Sequence, residues 1–570
     1  MKILFSVNGL LRIESSEGAD ITSSGKMKEG FHSSYDIHIV SFLHKVKCTI
    51  YLNESGIHVI RKHHYPSSTI HIHKAWLIGC RKGVRSRWTE NGNACLKLNF
   101  FSIKRDYVKN TNVKVLTTAS INMLFLSEQE ADKFIKATEL LFQNMQLSEI
   151  KPYLVLINPK SGTKKAVSIF NSKVAPIWKQ MNIPYKLICT EYPGHAQEFI
   201  LKLSEEEISS YRAVVACSGD GLINEVVRAI ALRQDYNVGK EYRIPIGIIP
   251  AGTGNATAAA LCHHSGLLAK SSVLLHSVFL LSLPPETMSL LEYKMGLVSD
   301  EGKLRLTLPT SQRISPLTGI RFGTDNKNSR HFGVLSIEWG IFSDLDYKSE
   351  KLRWMGETRF TVYGYYCIMR KQLYRAKLSY LPIDNQKSQS LKNNGSKTTE
   401  EDSISQSSLV NKNVKDLRRR PNESNDPIKI WNKTWYYLPD IGKPISNDNG
   451  KWVVLDDEFI SILVLNHSHM AASAVVQPDA HFSDPYLNLV IIHKNATRVD
   501  LIRIAQAISS GKGLKSTPYM DIVQISAVRV DPYPNSSVIT MLDGELMPSG
   551  VCQAEVMPGY FSVISGGQTI

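Results

Sequence analysis

AVVACSGDGLINEVV (residues 213–227) passes from a run of small apolar residues, through a carboxylate set between two glycines, into a helical pattern. A short, unbroken apolar run bounded by a turn is the signature of a strand buried on both faces. Leu222, Ile223, Val226, Val227 and Ile230 then recur at helical spacing. Two more stretches are built alike, YLVLINPKSG (153–162) and IGIIPAGTGNA (246–256). Strands alternating with helices imply a parallel α/β sheet. Ligands bind such sheets beyond the C-terminal ends of the strands, where all three glycine turns fall: NPKSGTKKA (158–166), SGDGLINE (218–225) and PAGTGNA (250–256).

Glycines let backbone N–H groups approach phosphate oxygens, and a following helix N-terminus adds partial positive charge. One such turn is usually plain punctuation; three in succession point to a phosphate site. There is no GxxxxGK[ST] and no GxGxxG opening a helix after a strand, so neither a P-loop nor a dinucleotide fingerprint is present. Asp220 admits two readings. It caps the helix that begins near Leu222, or it acts on a substrate that Gly219 and Gly221 leave room for. Glu225, one turn beyond Gly221, either faces the same space or lies on a solvated face.

The whole chain is 570 residues with a formal net charge of +15, 43% hydrophobic and 21% charged. That length suits two to four domains, and the basic balance suits anionic partners: nucleotide, acidic membrane or nucleic acid. Basic and aromatic residues do not interleave on any nucleic-acid module, which argues against nucleic acid. The eight cysteines form no CxxC pair, which fits reduced thiols in a cytoplasmic protein better than zinc or a disulfide scaffold. MKILFSVNGLLRI (1–13) is interrupted by Asn8 and Gly9 and lacks a cleavage site, so a signal peptide is not expected. SSVLLHSVFLLSLPP (271–285) is too short to span a bilayer, so membrane contact should be peripheral.

Residues 1–150 read as short strands closed by one helix, in which Ser127 and Glu130 form a capping box before Ala131, Phe134, Ile135, Thr138, Leu141 and Phe142. INMLFLSEQEADKFIKATELLF (121–142) resembles the last strand and helix of a pleckstrin-homology domain, with Phe134 where that helix usually has tryptophan. This implies a small β-barrel module. Arg81, Lys82, Arg85 and Arg87 either meet acidic headgroups or lie in a solvated loop. His63, His64, His71 and His73 have no metal-ligand spacing and suit strand surfaces.

Residues 151–284 form the α/β domain, and 285–570 read as largely antiparallel, with RFTVYGYYCIM (359–369) and YLNLVIIH (486–493) as strands. These 285–570 residues would make a β-sandwich carrying the insert 385–426, which is polar and expected to be disordered.

SGDG, PAGTGN, WGIFSDLDYKSEKLRWMGETRF (339–360) and LDGELM (542–547) together resemble the sphingosine kinases, within the diacylglycerol-kinase-like lipid kinases. The resemblance covers roughly residues 151–384 and 427–565. It implies ATP and Mg2+, with no metal ligand singled out. Asp220 would be the general base toward a lipid hydroxyl, with Ser218, Gly219 and Gly221 beside the substrate. Nucleotide contacts would fall on Asn158, Pro159, Lys160, on Thr190 through Gly194 with Glu191 among them, and on Glu225, Gly252, Thr253 and Gly254. Arg353 and Arg359 would hold phosphate oxygens, and Asp543, Gly544 and Glu545 would return the end of the chain to the nucleotide. Asp346 matches the residue that binds the substrate amine; Ile341, Phe342, Leu345 and Phe360 would line the tail pocket, although ordinary core packing explains those four equally well. The turn departs from the family at Thr163, Lys164 and Lys165, and Tyr192 and Pro193 stand where basic residues are frequent.

The expectation is a cytoplasmic, peripherally membrane-associated kinase that phosphorylates the primary hydroxyl of sphingosine or a related sphingoid base; a homodimer is compatible with it. A ceramide or diacylglycerol kinase is the nearest alternative, and a non-catalytic lipid sensor the more distant one.

Overall fold

A computed structural model describes, with short breaks, residues 33–144, 151–283, 312–383 and 435–566, and two short strand pieces before them. The insert 385–426, Arg85, Arg87, His63, His64, Ser161, Thr163 and the side chain of Arg353 lie outside the described residues.

The N-terminal part is an antiparallel sheet of β1 (Ser33–Val40), β2 (Lys45–Asn53), β3 (Gly56–Arg61), β4 (Thr69–His73), β5 (Leu77–Lys82), β6 (Ala94–Val108) and β7 (Thr111–Phe125). The order is β4-β3-β2-β1-β7-β6-β5, two meanders joined through their first and last strands. Alternate residues face inward as a pleated strand requires, among them Ile37, Ile50, Val59, Leu98 and Phe125. Helix α1 (Glu128–Asn144) closes the sheet. Ser127 Oγ accepts from Glu130 N at 3.2 Å, the first half of the expected capping box. Phe134 is fully buried, with Tyr35 and Phe125 each at a ring separation of 5.3 Å. Phe101 meets Phe279 at 5.0 Å, so this sheet packs directly on the α/β part.

There β8 (Tyr153–Ile157), β9 (Tyr185–Cys189), β10 (Ala213–Ser218) and β11 (Ile246–Pro250) lie parallel in the order β9-β8-β10-β11. Every residue of β8, β10 and β11 is buried, which is why these runs are apolar without alternation. The chain steps one way from β8 to β9 and then crosses back to β10, so the strand order reverses between β8 and β10. That reversal opens a crevice at the strand ends. Helices α2 (His195–Lys202), α3 (Asp220–Leu232) and α4 (Ala256–His264) start there.

The C-terminal half comprises β12 (Gln312–Thr324), β13 (Arg330–Gly333), β14 (Ser336–Gly340), α5 (Ile341–Ser349), α6 (Thr358–Arg370), β15 (Tyr374–Pro382), β16 (Val453–Leu465), β17 (His469–Ala471), β18 (Ala474–Val475), β19 (Leu487–His493), α7 (Arg498–Ser509), β20 (Met520–Pro532), β21 (Thr540–Leu542), β22 (Glu545–Leu546) and β23 (Cys552–Gly566). Its strands pair antiparallel among themselves, but β23 also joins β11 in parallel, Val563 opposite Ile246. The parallel sheet and the sandwich therefore belong to one mixed sheet of 14 strands.

RFTVYGYYCIM is not a strand. It lies in α6, where Arg359, Cys367 and Ile368 are buried while Val362, Tyr365, Tyr366 and Met369 are exposed. The β-branched and aromatic content favours a strand, but burial recurs at helical spacing on one side.

Candidate active site

The three glycine turns converge. A Cβ on Gly252 would stand 2.3 Å from Gly219 Cα, and one on Gly162 would stand 3.1 Å from Gly252 itself. The turns after β8, β10 and β11 thus touch backbone to backbone. Gly162 (φ +52°) and Gly194 (φ +84°) also hold left-handed conformations suited to glycine.

The Asp220 carboxylate lies between two of these turns. Its Oδ2 accepts from Ala256 N at 2.9 Å, and its Oδ1 from Thr257 N and Thr257 Oγ1, each at 3.1 Å. Asp220 therefore caps α4, in the next turn, rather than its own helix near Leu222. A Cβ at Gly254 would come within 3.1 Å of Asp220 Oδ2, so that glycine makes room for the acid. Burial raises the Asp220 pKa, and the three hydrogen bonds oppose the rise. Ser218 and Gly219 are buried alongside, and Ser218 Oγ has no partner.

Around the first turn, Asn158 Oδ1 accepts from Lys160 N at 2.9 Å, and Lys160 Nζ donates to Glu191 O at 3.2 Å. Thr190 N donates to Ile157 O at 2.8 Å, which sets the 190–194 segment beside the NPK turn. Pro159 is half-buried there. Tyr192 donates to Glu198 at 2.7 Å and stacks on His195 at 4.6 Å; it and Pro193 are exposed. Glu225 Oε2 accepts from Ala196 N at 3.2 Å, so this carboxylate sits on the N-terminus of α2. Thr253 is half-buried in the third turn.

LDGEL closes β21 onto β22 with a two-residue turn in which Asp543 (φ +51°) and Gly544 (φ +81°) are both left-handed. That is the backbone an Asp-Gly hairpin prefers. Its two carboxylates part company. Asp543 is buried and accepts from Val334 N (2.8 Å), Leu335 N (2.9 Å), Ser336 N (3.0 Å) and Asn224 Nδ2 (3.1 Å). These bonds run to three backbone amides and the Asn224 side chain of the protein itself. Glu545 instead reaches the crevice, where a Cβ on Gly221 would lie 3.4 Å from its Oε1. Although much of Glu545 is exposed, the protein crowded around its carboxyl raises its pKa, as do the charges of Glu225, Asp543 and Glu350, while Arg228 opposes them.

Asp346 projects from α5, which begins directly after β14 because Gly340 (φ +85°) turns the chain; a Cβ there would sit 2.6 Å from Ile460 O. A Cβ on Gly544 would lie 3.5 Å from Asp346 Oδ2, so α5 and the hairpin meet. Arg359 is buried, pairs with Glu350 and covers the Phe360 ring at 4.5 Å. Phe342 is buried in an apolar cluster with Leu463 and Leu465, against which Ile341 packs; Leu345 and Phe360 are half-buried. Thr257, Asn224, Arg228, Glu338 and Glu350 escaped the sequence reading. Asn224 alone had a signal, as a polar position on the apolar face of α3.

Residues 152–277 match the family described as the diacylglycerol kinase catalytic domain, and residues 452–565 the one described as the YegS C-terminal NAD kinase beta sandwich-like domain. Sphingosine kinase 1 of Homo sapiens is 30% identical over 416 residues, covering 72% of this chain and 90% of its own. Sphingosine kinase 1 of Arabidopsis thaliana is 26% identical, covering 71% of this chain and 70% of its own. Sphingosine kinase 1 of Caenorhabditis elegans is 29% identical, covering 72% and 81%. The chain belongs to the sphingosine kinase family, among the diacylglycerol-kinase-like lipid kinases.

Proposed function

We propose that the protein transfers the γ-phosphate of ATP to the primary hydroxyl of sphingosine or a related sphingoid base. The observation that carries this reading is the convergence of three glycine turns on Asp220, with Asp346 brought up behind Gly544. The turns bring three stretches of glycine backbone together at one crevice with no Cβ in the way, the close approach a polyphosphate needs. Asp220 takes the proton of the lipid hydroxyl as its oxygen bonds to the γ-phosphorus and the bond to the ADP oxygen breaks. A carboxylate with a raised pKa is a better base for this, and its three donors fix its direction. Arg359 and Lys160 supply positive charge near the transferring phosphoryl group; positioning and charge carry most of such a reaction.

Glu225 and Glu545 fit Mg2+: they are acidic neighbours at the crevice, and their mutual repulsion would be relieved by a cation. Bound with ATP, the ion would neutralise phosphate charge. Asp346 would pair with the substrate ammonium, a cation absent from ceramide and diacylglycerol, while Ile341, Phe342, Leu345 and Phe360 would receive the start of the tail.

The N-terminal sheet, with its four-strand and three-strand meanders and closing helix, supports a pleckstrin-homology-like reading. On α6, Val362, Tyr365, Tyr366 and Met369 stand exposed at spacings of three and four, near Trp354, which is 81% exposed. An anionic membrane visited from the cytoplasm would account for such an apolar stripe on a basic protein. No helix among the described residues is long and apolar enough to cross a membrane.

The test is transfer of labelled γ-phosphate to sphingosine, ceramide and diacylglycerol in matched micelles, with Asp220→Asn as the blank. Labelling of sphingosine alone is expected. Preference for an amine-free lipid would overturn the substrate, and no labelling at all would overturn the activity.

A further inference from the structure

Glu338 lies in the middle of β14, directly opposite Leu463 on β16 and Met541 on β21, so its side chain shares a sheet face with two buried apolar ones. Leu463 belongs to the same apolar cluster as Phe342, at the proposed entrance to the tail pocket. Glu338 is 4% exposed. Its Oε1 accepts from Ser336 Oγ at 3.2 Å, while its Oε2 is buried with no hydrogen-bond partner. The charged groups acting on it are Asp346 from α5 and Asp543 from the hairpin, both acidic. A carboxyl group has thus been placed among apolar side chains beside the residue assigned to the substrate amine, with one oxygen unanswered.

On the reading above, from which this follows, Asp346 takes the amine and the chain beyond it enters the apolar cluster. A plain hydrocarbon tail leaves Oε2 unsatisfied; a tail with a hydroxyl near its head satisfies it. We infer that Glu338 is a specificity-determining residue that hydrogen-bonds an additional hydroxyl near the head of the sphingoid chain, so that 4-hydroxylated bases are the preferred substrates. Burial, then the Asp346 and Asp543 charges, hold the Glu338 pKa well above the usual carboxylate range. Both causes favour the neutral acid, the form able to donate to the hydroxyl as well as accept from it.

The experiment compares kcat/KM of the full chain for phytosphingosine and for sphinganine, which differ by the 4-hydroxyl, in wild type, Glu338→Leu and Glu338→Gln. Wild type should favour phytosphingosine about tenfold, mainly through KM, because a site built around a hydrogen bond discriminates against the analogue lacking it. Glu338→Leu should abolish or reverse the preference, and Glu338→Gln should keep part of it. Equal use of the two bases by wild type, or an equal loss on both in Glu338→Leu, would overturn the inference while leaving sphingoid kinase activity standing. Should Glu338→Leu fail to fold, the wild-type ratio and the Gln variant still decide. If neither base is phosphorylated, the underlying reading fails instead.

Discussion

Thr257 donates twice to one oxygen of Asp220, through its backbone N–H and its hydroxyl, each at 3.1 Å. The proposed base is thereby tied to the helix that follows the PAGTGN turn, so the residue proposed to take the lipid proton also locks two glycine turns together.

Asp220→Asn should therefore have two separable effects. Loss of the base should reduce turnover by about 10²–10⁴-fold. An amide NH2 set against the N–H of Ala256 or Thr257 should also cost roughly 1–3 kcal/mol of stability. Lipid phosphorylation and thermal denaturation, run on the same preparation, check both. Thr257→Val keeps the backbone bond and removes the hydroxyl, one of the groups opposing the raised pKa of Asp220. The acidic limb of its pH–rate profile should move to higher pH, since the base would then protonate sooner as pH falls.

Gly252 tests the convergence of the turns. A methyl group there meets the Gly219 backbone at 2.3 Å, and no rotamer relieves a clash with backbone. Gly252→Ala should abolish stabilisation by ATP in a thermal-shift assay and turnover with it. Gly511→Ala is the control: the nearest atom to its added Cβ is 4.0 Å away, and only the left-handed φ of +75° is strained. It should cost about 1 kcal/mol of stability and leave most ATP binding intact.

Asp543 separates anchoring from nucleotide contact. Removing its carboxylate leaves three backbone N–H groups and the Asn224 amide without their acceptor in the protein interior. Asp543→Ala should thus lose several kcal/mol of stability, on the order of 1–3 for each orphaned donor. Asp543→Asn should be milder. If either variant instead lost ATP affinity at unchanged melting temperature, the anchoring role would be wrong.

The parallel strands were legible because burial on both faces removes alternation and the glycine turns punctuate them. The hairpin bearing Glu545 carries an Asp-Gly signal in the sequence that went unread. α6 was not legible, because Thr358–Arg370 is rich in residues that also suit strands and its period shows only once Cys367 and Ile368 are seen buried. Nor was the division of labour in LDGE: which carboxylate turns to the backbone and which to the crevice depends on the 334–336 amides, more than 200 residues away in sequence. Glu338 gave no signal, since one acid in a five-residue strand reads as a solvated position until its neighbours on both sides are known.

The junction of α4 with the 466–484 segment should make the protein acid-sensitive. Ala472 N donates to Gly254 O at 2.7 Å, tying the β17–β18 hairpin to the third glycine turn. Behind it, His263 and His469 meet at a ring separation of 5.2 Å and His264 and His481 at 4.4 Å, while His264 Nε2 donates to Ala480 O at 2.9 Å. Burial, reinforced by the neighbouring histidines, lowers His264 to about 4 and both His467 and His469 to about 3; burial alone takes His276 to about 4. These rings are neutral in the folded protein, whereas the unfolded chain takes up protons near pH 6.5. Their contribution is complete above that pH and is lost as pH falls toward 4, each site steepening the slope by up to about 1.4 kcal/mol per pH unit. The melting temperature should therefore drop markedly between pH 7 and pH 5, and His264→Gln, which keeps a donor for Ala480 O but cannot titrate, should flatten the drop. A variant as steep as wild type would show that the loss of stability arises elsewhere, since no other property of that ring would then be limiting.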